Sequence, residues 1–309
     1  MEIINGLHNL RPRHRGCVLT VGNFDGVHRG HRALIEALCT EAKSLGVPSM
    51  LMTFEPQPRE FFAGEKLPAR LTRFREKVHL LKQTGLDRLL CLPFNERTAN
   101  IEADWFAGEF TVDKVGAKHV VIGDDFRFGR GREGDFALFQ KYGGEFGYKV
   151  SAMSTLLEGQ QRISSTLIRQ TLAAGDFPTA AQMLGHEYFI MGRVVYGRQL
   201  GRQLDVPTAN IRLQRYRAAL EGVYCVTVEG IGEQALEGIA NIGVRPTVDG
   251  KEPLLEVHVF DYAGNLYGDL IKVTFKQKLR DEQTFESIDA LKTQIGADLQ
   301  QARQWFADQ

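Results

Sequence analysis

Along the first half of the chain the apolar positions change period repeatedly. The run CVLTV at 17–21 is short and β-branched, the mark of a buried strand. After it, Leu34, Ile35, Leu38, Ala42 and Leu45 recur at helical spacing. The same reading predicts strands at 49–54, 88–92, 119–122 (ending in Gly123) and 148–153, with helices at 71–84, 103–115 and 136–146 between them. Strands alternating with helices of this length predict a parallel sheet with crossover helices. The pattern changes near Gly185. Short strands separated by glycines follow at 189–196, 222–228, 237–242, 254–260 and 270–275, which predict a small antiparallel barrel. A closing helix is predicted at 282–306, with Phe285, Ile288, Leu291, Ile295 and Leu299 on one face. The punctuation GDFP at 175–178 and LGH at 184–186 places the break between domains, giving 1–185 and 186–309.

Composition narrows the function classes. The 309 residues carry 38 basic and 38 acidic side chains, so the formal charge is zero and a general nucleic-acid binder is not expected. Cys17, Cys39, Cys91 and Cys225 are scattered, with no CxxC pair, which argues against zinc and against a disulfide framework. There is no signal peptide and no uncharged apolar run of about 18 residues, so no membrane partner is expected and the cytoplasm is the expected compartment.

The chemistry concentrates where strands end. In parallel sheets, ligands gather at the carboxyl ends of the strands. The segment VGNFDGVHRGH at 21–31 joins the first strand to the first helix and contains Gly22, Phe24, Gly26 and Gly30, with His28 and His31 three apart. Glycines let a backbone approach phosphates, and a helix N-terminus adds N–H groups and positive partial charge. Two imidazoles on one helix face can point at one anion. The GxxxxGK[ST] pattern of an ordinary P-loop ATPase is absent. TFEPQP at 53–58 and GDD at 123–125 also follow strands. GRGREG at 129–134 matches GxGxxG, but it lacks the tight βα context and ribose-binding acid of a dinucleotide site. Ser164 or Ser165 is a plausible helix cap, and Thr166 and Arg169 would share a face beside it, where an arginine can fork onto phosphate. In the second domain a glycine- and arginine-rich loop containing Gly197, Gly201 and Arg202 leads into PTAN. There Thr208 and Asn210 alternate onto one face if extended and offer oxygens suited to magnesium. Glu256 and His258 share one face of a later strand, and Glu256 is a candidate general base.

The string GNFDGVHRGH resembles the GxFDGxHxGH signature of the nucleotidylyltransferase superfamily. With TFEPQP, IGDDFRFG, RISSTLIR, LDVPTANI, ANIGVRPTV and EVHVFDYAGNLYG, nearly the whole chain resembles the prokaryotic bifunctional riboflavin kinase/FAD synthetase family. The resemblance implies a Rossmann-like nucleotidylyltransferase domain that transfers AMP from ATP to FMN. It implies a following β-barrel domain, closed by a helix, that phosphorylates riboflavin. ATP is then a co-substrate, riboflavin, FMN and FAD are substrates or products, and Mg2+ is the implied metal. By the same resemblance His28 and His31 serve adenylyl transfer. Gly22, Phe24, Gly26, Gly30, Asp125, Ser164, Thr166 and Arg169 bind its nucleotide, and Phe54, Pro56 and Pro58 border the flavin. Gly197, Gly201, Arg202, Thr208 and Asn210 bind the kinase nucleotide, with Thr208 and Asn210 at the metal, and Glu256 deprotonates the riboflavin 5′-hydroxyl. Two positions depart from the family pattern: Gln57 stands where many members have histidine, and Asp205 where many have glycine. Three other classes compete: a different nucleotidylyltransferase with an unrelated barrel, a catalytically dead flavin-binding or regulatory module, and an RNA-binding barrel. PTAN with the EVHVFD strand speaks against the first, and the intact His28, His31, Arg169 and Glu256 against the second. The neutral charge balance speaks against the third.

Overall fold

In the computed structural model, residues 1–63, 67–153, 157–158, 161–197, 206–214, 217–247 and 250–309 are described. By packing, the chain divides into two units: 1–67 with 73–164, and 68–72 with 165–309.

The first unit is built on six parallel strands: β1 (Glu2–Asn5), β2 (Cys17–Val21), β3 (Ser49–Glu55), β4 (Arg88–Pro93), β5 (Ala117–Gly123) and β6 (Lys149–Met153). Their spatial order is β1-β4-β3-β2-β5-β6. The chain runs from β2 through β3 to β4 on one side, then returns to place β5 on the other side of β2. The order therefore reverses between β2 and β5, the switch point where such sheets open a crevice. All five residues of β2 are buried, as a central strand covered on both faces requires. Helix α1 (Arg29–Ser44) follows β2 and buries Ile35, Leu38 and Ala42, three of its periodic positions.

One sequence expectation is corrected in this unit, one gains detail, and one strand goes unread. The helix expected at 71–84 is α3 (Phe74–Leu81), after the short α2 (Pro58–Ala63). Arg73 is extended before α3, and its N–H donates to the Glu76 carboxylate at 2.7 Å, which fixes the start. The helix expected at 103–115 is present with those limits, α-helical over Ala103–Trp105 and wound as a π-helix over Phe106–Val115. The Thr111 hydroxyl donates to the Phe106 carbonyl five residues back at 2.7 Å, and Gly116 in the left-handed region ends the segment. Strand β1 lacks a turn signal and a period, and sequence reading missed it. Helix α4 (Phe136–Phe146) has the expected limits, capped by the Asp135 carboxylate and by left-handed Gly147.

The second unit carries α5 (Ser165–Ala173), α6 (Phe177–Leu184) and a closed antiparallel barrel. Its strands are β7 (Phe189–Val195), β8 (Ala209–Arg212), β9 (Gly222–Glu229), β10 (Leu236–Thr247), β11 (Gly250–Val259) and β12 (Leu270–Arg280), in the order β8-β11-β10-β9-β12-β7. Packing groups α5 and α6 with the barrel, whereas sequence punctuation puts the break at 185; the Phe177 ring sits edge-on to Tyr224 at 5.8 Å. The closing helix is α7 (Ile288–Ala307) and not 282–306, because Ser287 is its cap and accepts the Ala290 N–H at 3.1 Å. Of its expected apolar face, Leu299 packs on the cluster of Val223, Cys225, Ile239, Phe260 and Ala302, and Leu291 and Ile295 are half-buried, whereas Ile288 is 72% exposed; Asp298 and Ala302 are the buried residues. The Arg280 guanidinium on β12 grips the Asp298 carboxylate at 2.7–3.0 Å and draws that face inward.

Candidate active sites

The first site begins where β2 ends. Phe24, Gly26 and Val27 have φ of 48°, 87° and 43°. Such values are costly for Phe24 and Val27, and both side chains are buried, so packing holds the turn. His28 then caps α1, its Nδ1 accepting the backbone N–H of His31 at 3.3 Å. An accepting Nδ1 carries no proton, so the ring proton of neutral His28 lies on Nε2. The His31 ring stacks on it with centroids 3.6 Å apart and planes 16° from parallel, and Phe24 flanks His31 at 5.0 Å. Burial holds the His31 imidazole well below its usual range, and the charges of His28 and Lys77 push the same way. Gly22 sits where a Cβ would meet the Phe24 ring at 3.0 Å, and Gly30 lies in the first turn of α1, where backbone N–H groups have no helical partner.

Sequence reading did not single out Lys77. It is fully buried on α3, and its Nζ donates to the Thr53 hydroxyl at 3.3 Å. Thr53 in turn donates to the Asn23 carbonyl at 3.4 Å, joining the end of β3 to the histidine loop. A lysine inside a mixed helical pattern reads as a solvated face, so only the fold exposes it as a buried cation.

Beside this loop, Phe54, Pro56 and Pro58 follow β3 as expected. Phe54 stands edge-on to Phe94 at 5.5 Å. Phe61 and Phe62 of α2 complete the group, each within 5.8 Å of Phe94, and are 44% and 69% exposed. An exposed aromatic cluster of this kind offers flat surface to a planar ring. The adjacent pair in PREFF was its sequence signal, and it was overlooked. Gln57 is buried; its N–H donates to Glu60 at 2.7 Å, and its Nε2 has no partner among the described residues. Asp125 lies in the turn after β5, exposed, and its carboxylate pairs with Arg162 at 2.6 Å. GRGREG at 129–134 is a tight turn closed by a Phe128–Gly134 bridge. Ser164 ends the first unit; Thr166, exposed, and Arg169, whose Nε donates to the Ala69 carbonyl, belong to the second.

The second site lies on the barrel's outer face. Gly201, Arg202 and Asp205 lie outside the described residues. Asn210 of β8 stands directly opposite Glu256 of β11, and Glu256 stands opposite Asn241 of β10. Directly opposed residues share a face, with Cβ atoms roughly 4.5–5.5 Å apart. Ala209, Ile211, Leu255, Val257, Ala240 and Ile242 alternate with them and are buried inside the barrel. Asn210, Glu256 and Asn241 therefore form one outward row. Asn210 is 4% exposed, its Nδ2 donates to the Thr208 carbonyl at 3.3 Å, and its Oδ1 has no partner among the described residues. A Cβ on Gly197 would lie 2.7 Å from that Oδ1, so only glycine fits there. His258, two residues from Glu256, donates from Nδ1 to the Pro207 carbonyl at 2.8 Å and fixes the segment carrying Thr208.

Comparison with known proteins covers both units. The family model described as FAD synthetase matches residues 10–167, and that described as riboflavin kinase matches 184–306. The chain is 50% identical to the bifunctional riboflavin kinase/FMN adenylyltransferase of Escherichia coli (strain K12), over 99% of this chain and 98% of that one. It is 51% identical to the protein of the same description from Pseudomonas fluorescens, over 98% and 97% of the two chains. A crystal structure named as a macrolide-efflux protein from Streptococcus pneumoniae superposes with a TM-score of 0.79 at 30% identity, covering 99% of this chain and 100% of that one. Among the described residues, no helix is long and apolar enough to cross a membrane.

Proposed function

The chain belongs to the family of bifunctional riboflavin kinases/FMN adenylyltransferases, and on that premise we propose how its residues divide the two reactions. Adenylyl transfer is assigned to the β2–α1 loop. An FMN phosphate oxygen forms a bond to the α-phosphorus of ATP, the bond to the bridging oxygen breaks, and pyrophosphate leaves. His28 and His31 meet the charge on the α-phosphoryl oxygens as it builds, together with the positive end of the α1 helix dipole. Gly22, Phe24, Gly26 and Gly30 shape the loop around the phosphates, and Asp125, Ser164, Thr166 and Arg169 bind the nucleotide. Phe54, Pro56 and Pro58, with Phe61, Phe62 and Phe94, form the face for the flavin ring.

Riboflavin phosphorylation is assigned to the barrel's outer row. Glu256 accepts the proton of the 5′-hydroxyl as its oxygen bonds to the γ-phosphorus and the bond to ADP breaks. Gly197, Gly201 and Arg202 cover the nucleotide. The orphaned, buried amide oxygen of Asn210, whose Nδ2 donates to the Thr208 carbonyl, suits a hard cation, and Asn210 and Thr208 would hold Mg2+. When bound, the ion neutralises phosphate charge. The cytoplasm, where ATP is plentiful, is the proposed compartment. The observation that carries this reading is the pair of separate constellations, stacked imidazoles at a helix N-terminus and a carboxylate row on a barrel.

The test resolves FMN and FAD by chromatography after incubation with riboflavin, ATP and magnesium. His28→Ala and His31→Ala should each lower FAD formation by about a hundredfold and leave FMN formation in place. Glu256→Gln should lower kinase turnover far more than riboflavin affinity, with FAD synthesis from supplied FMN unchanged. Near-normal FAD synthesis in a histidine variant, or full kinase turnover in Glu256→Gln, refutes the corresponding assignment.

A further inference from the structure

The outward row on the barrel has a third member that the two assigned chemistries leave unused. Asn241 of β10 flanks Glu256 on the side opposite Asn210. Its Oδ1 is buried and has no hydrogen-bond partner among the described residues. A buried amide oxygen left without a donor is costly, so its retention calls for a donor that arrives with a ligand.

The surroundings say which donor. Two positions along β10 is Gly243, and the Glu282 carboxylate fills the space a side chain would take there. The Nδ2 edge of Asn241 faces this region, 3.4 Å from where a Gly243 Cβ would stand. A carboxylate on that side favours the amide's N–H edge, which turns Oδ1 away from it. Beyond Asn241 the row continues to Val223, part of the apolar cluster with Cys225, Ile239, Phe260 and Ala302. That cluster is buried beneath α7, which contributes Ala302, so the row of polar groups ends at Asn241. The polar stretch Asn210–Glu256–Asn241 suits a ligand with hydroxyl groups along a chain.

We propose that Asn241 is a substrate-binding residue of the kinase site, whose Oδ1 accepts a hydrogen bond from a hydroxyl of the riboflavin ribityl chain. The inference rests on the kinase reading of the Glu256 row. With Asn210 on the phosphate side of Glu256 and Asn241 on the polyol side, the reacting hydroxyl is held over the carboxylate between them.

Lumiflavin provides the test, because it carries the same ring system without the polyol. Binding of riboflavin and lumiflavin to the full chain is measured by flavin fluorescence for the wild type, Asn241→Ala and Asn241→Ser, with folding checked by circular dichroism. Asn241→Ala should weaken riboflavin by about tenfold and lumiflavin by less than about twofold, and Asn241→Ser, which keeps an accepting oxygen, should recover part of the difference. Unchanged riboflavin binding, or equal loss of both flavins in whichever of the two variants folds, overturns the proposal. Glu256→Gln is run beside them. If that variant still phosphorylates riboflavin, the kinase reading of Glu256 fails, whereas the Asn241 ratio is read from binding alone and is judged separately.

Discussion

His31 shows how far the environment of one residue changes its chemistry. A stacked pair of imidazoles cannot take two protons without repulsion, and burial adds a desolvation cost to the charged form of His31. Its folded-state value therefore lies below the unfolded one, near 6.5. The sign follows from linkage. Below that unfolded value the unfolded chain takes up a proton that the native state refuses, so stability falls as the solution is acidified and is restored above it. Denaturant midpoints measured between about pH 7.5 and 5 should fall more steeply for the wild type than for His31→Asn, which has no such proton to gain. Parallel slopes would show that His31 titrates alike in both states. Burial likewise pushes the Cys17 thiol up to about 12 and the Cys225 thiol up to about 11, which keeps both protonated and inert.

At the scale of elements, the attachment of α7 to the barrel is the interaction most exposed to a single change. Arg280 reaches Asp298 through Nε and Nη2, and Gln294 adds a third donor at 2.8 Å. The Asp298 side chain is 5% exposed and that of Arg280 17%. Removing the carboxylate strands a mostly buried guanidinium, so Asp298→Ala should destabilise the second unit by about 3 kcal/mol in chemical denaturation. A loss below about 1 kcal/mol would mean that Arg280 turns out to water and that the apolar cluster under the helix suffices. This pair also shows where sequence reading ended. Periodicity located α1, α4 and five of the six barrel strands, because each buries one regular face; the short β8 that carries Asn210 went unread. Periodicity misplaced the start of α7 and did not show Asp298 inside, because a polar pattern cannot tell which charges will be buried. At 103–115 it gave the helix but not its π winding, because apolar residues are spaced alike enough in α- and π-helices that only hydrogen bonding separates them. In the candidate sites, the local motifs around His28 and Glu256 were legible. Lys77 and Phe94 were not, because each reaches its site from a segment distant in sequence, and Asn241, though inside the ANIGVRPTV string, was given no role.

For the whole molecule, the stacked imidazoles lie in the first packing unit, whereas the Glu256 row lies wholly in the second, together with Thr166 and Arg169, which predicts a kinase activity separable from FAD synthesis. The fragment 165–309 retains α6 and the packing of Phe177 on Tyr224, whereas 186–309 lacks them. We expect both to phosphorylate riboflavin and neither to form FAD, with the longer fragment more stable to heat. A folded 165–309 without kinase activity would show that the second site borrows residues from the first unit. The order of strands in the first unit has a consequence for how the chain is made. β1 pairs only with β4, register Glu2 to Arg88, and β2 gains its second neighbour only from β5. A ribosome releases these segments in sequence, so the first strand must wait as unpaired nascent chain until residue 93 has emerged. The wall of the phosphate crevice waits longer, until residue 123 is free of the exit tunnel. Until then the buried, β-branched strand before the histidines is open to solvent and to chaperones. Slowed translation between these two points should therefore lengthen the interval in which the nascent chain is captured or aggregates, while the same delay placed after residue 164 should not.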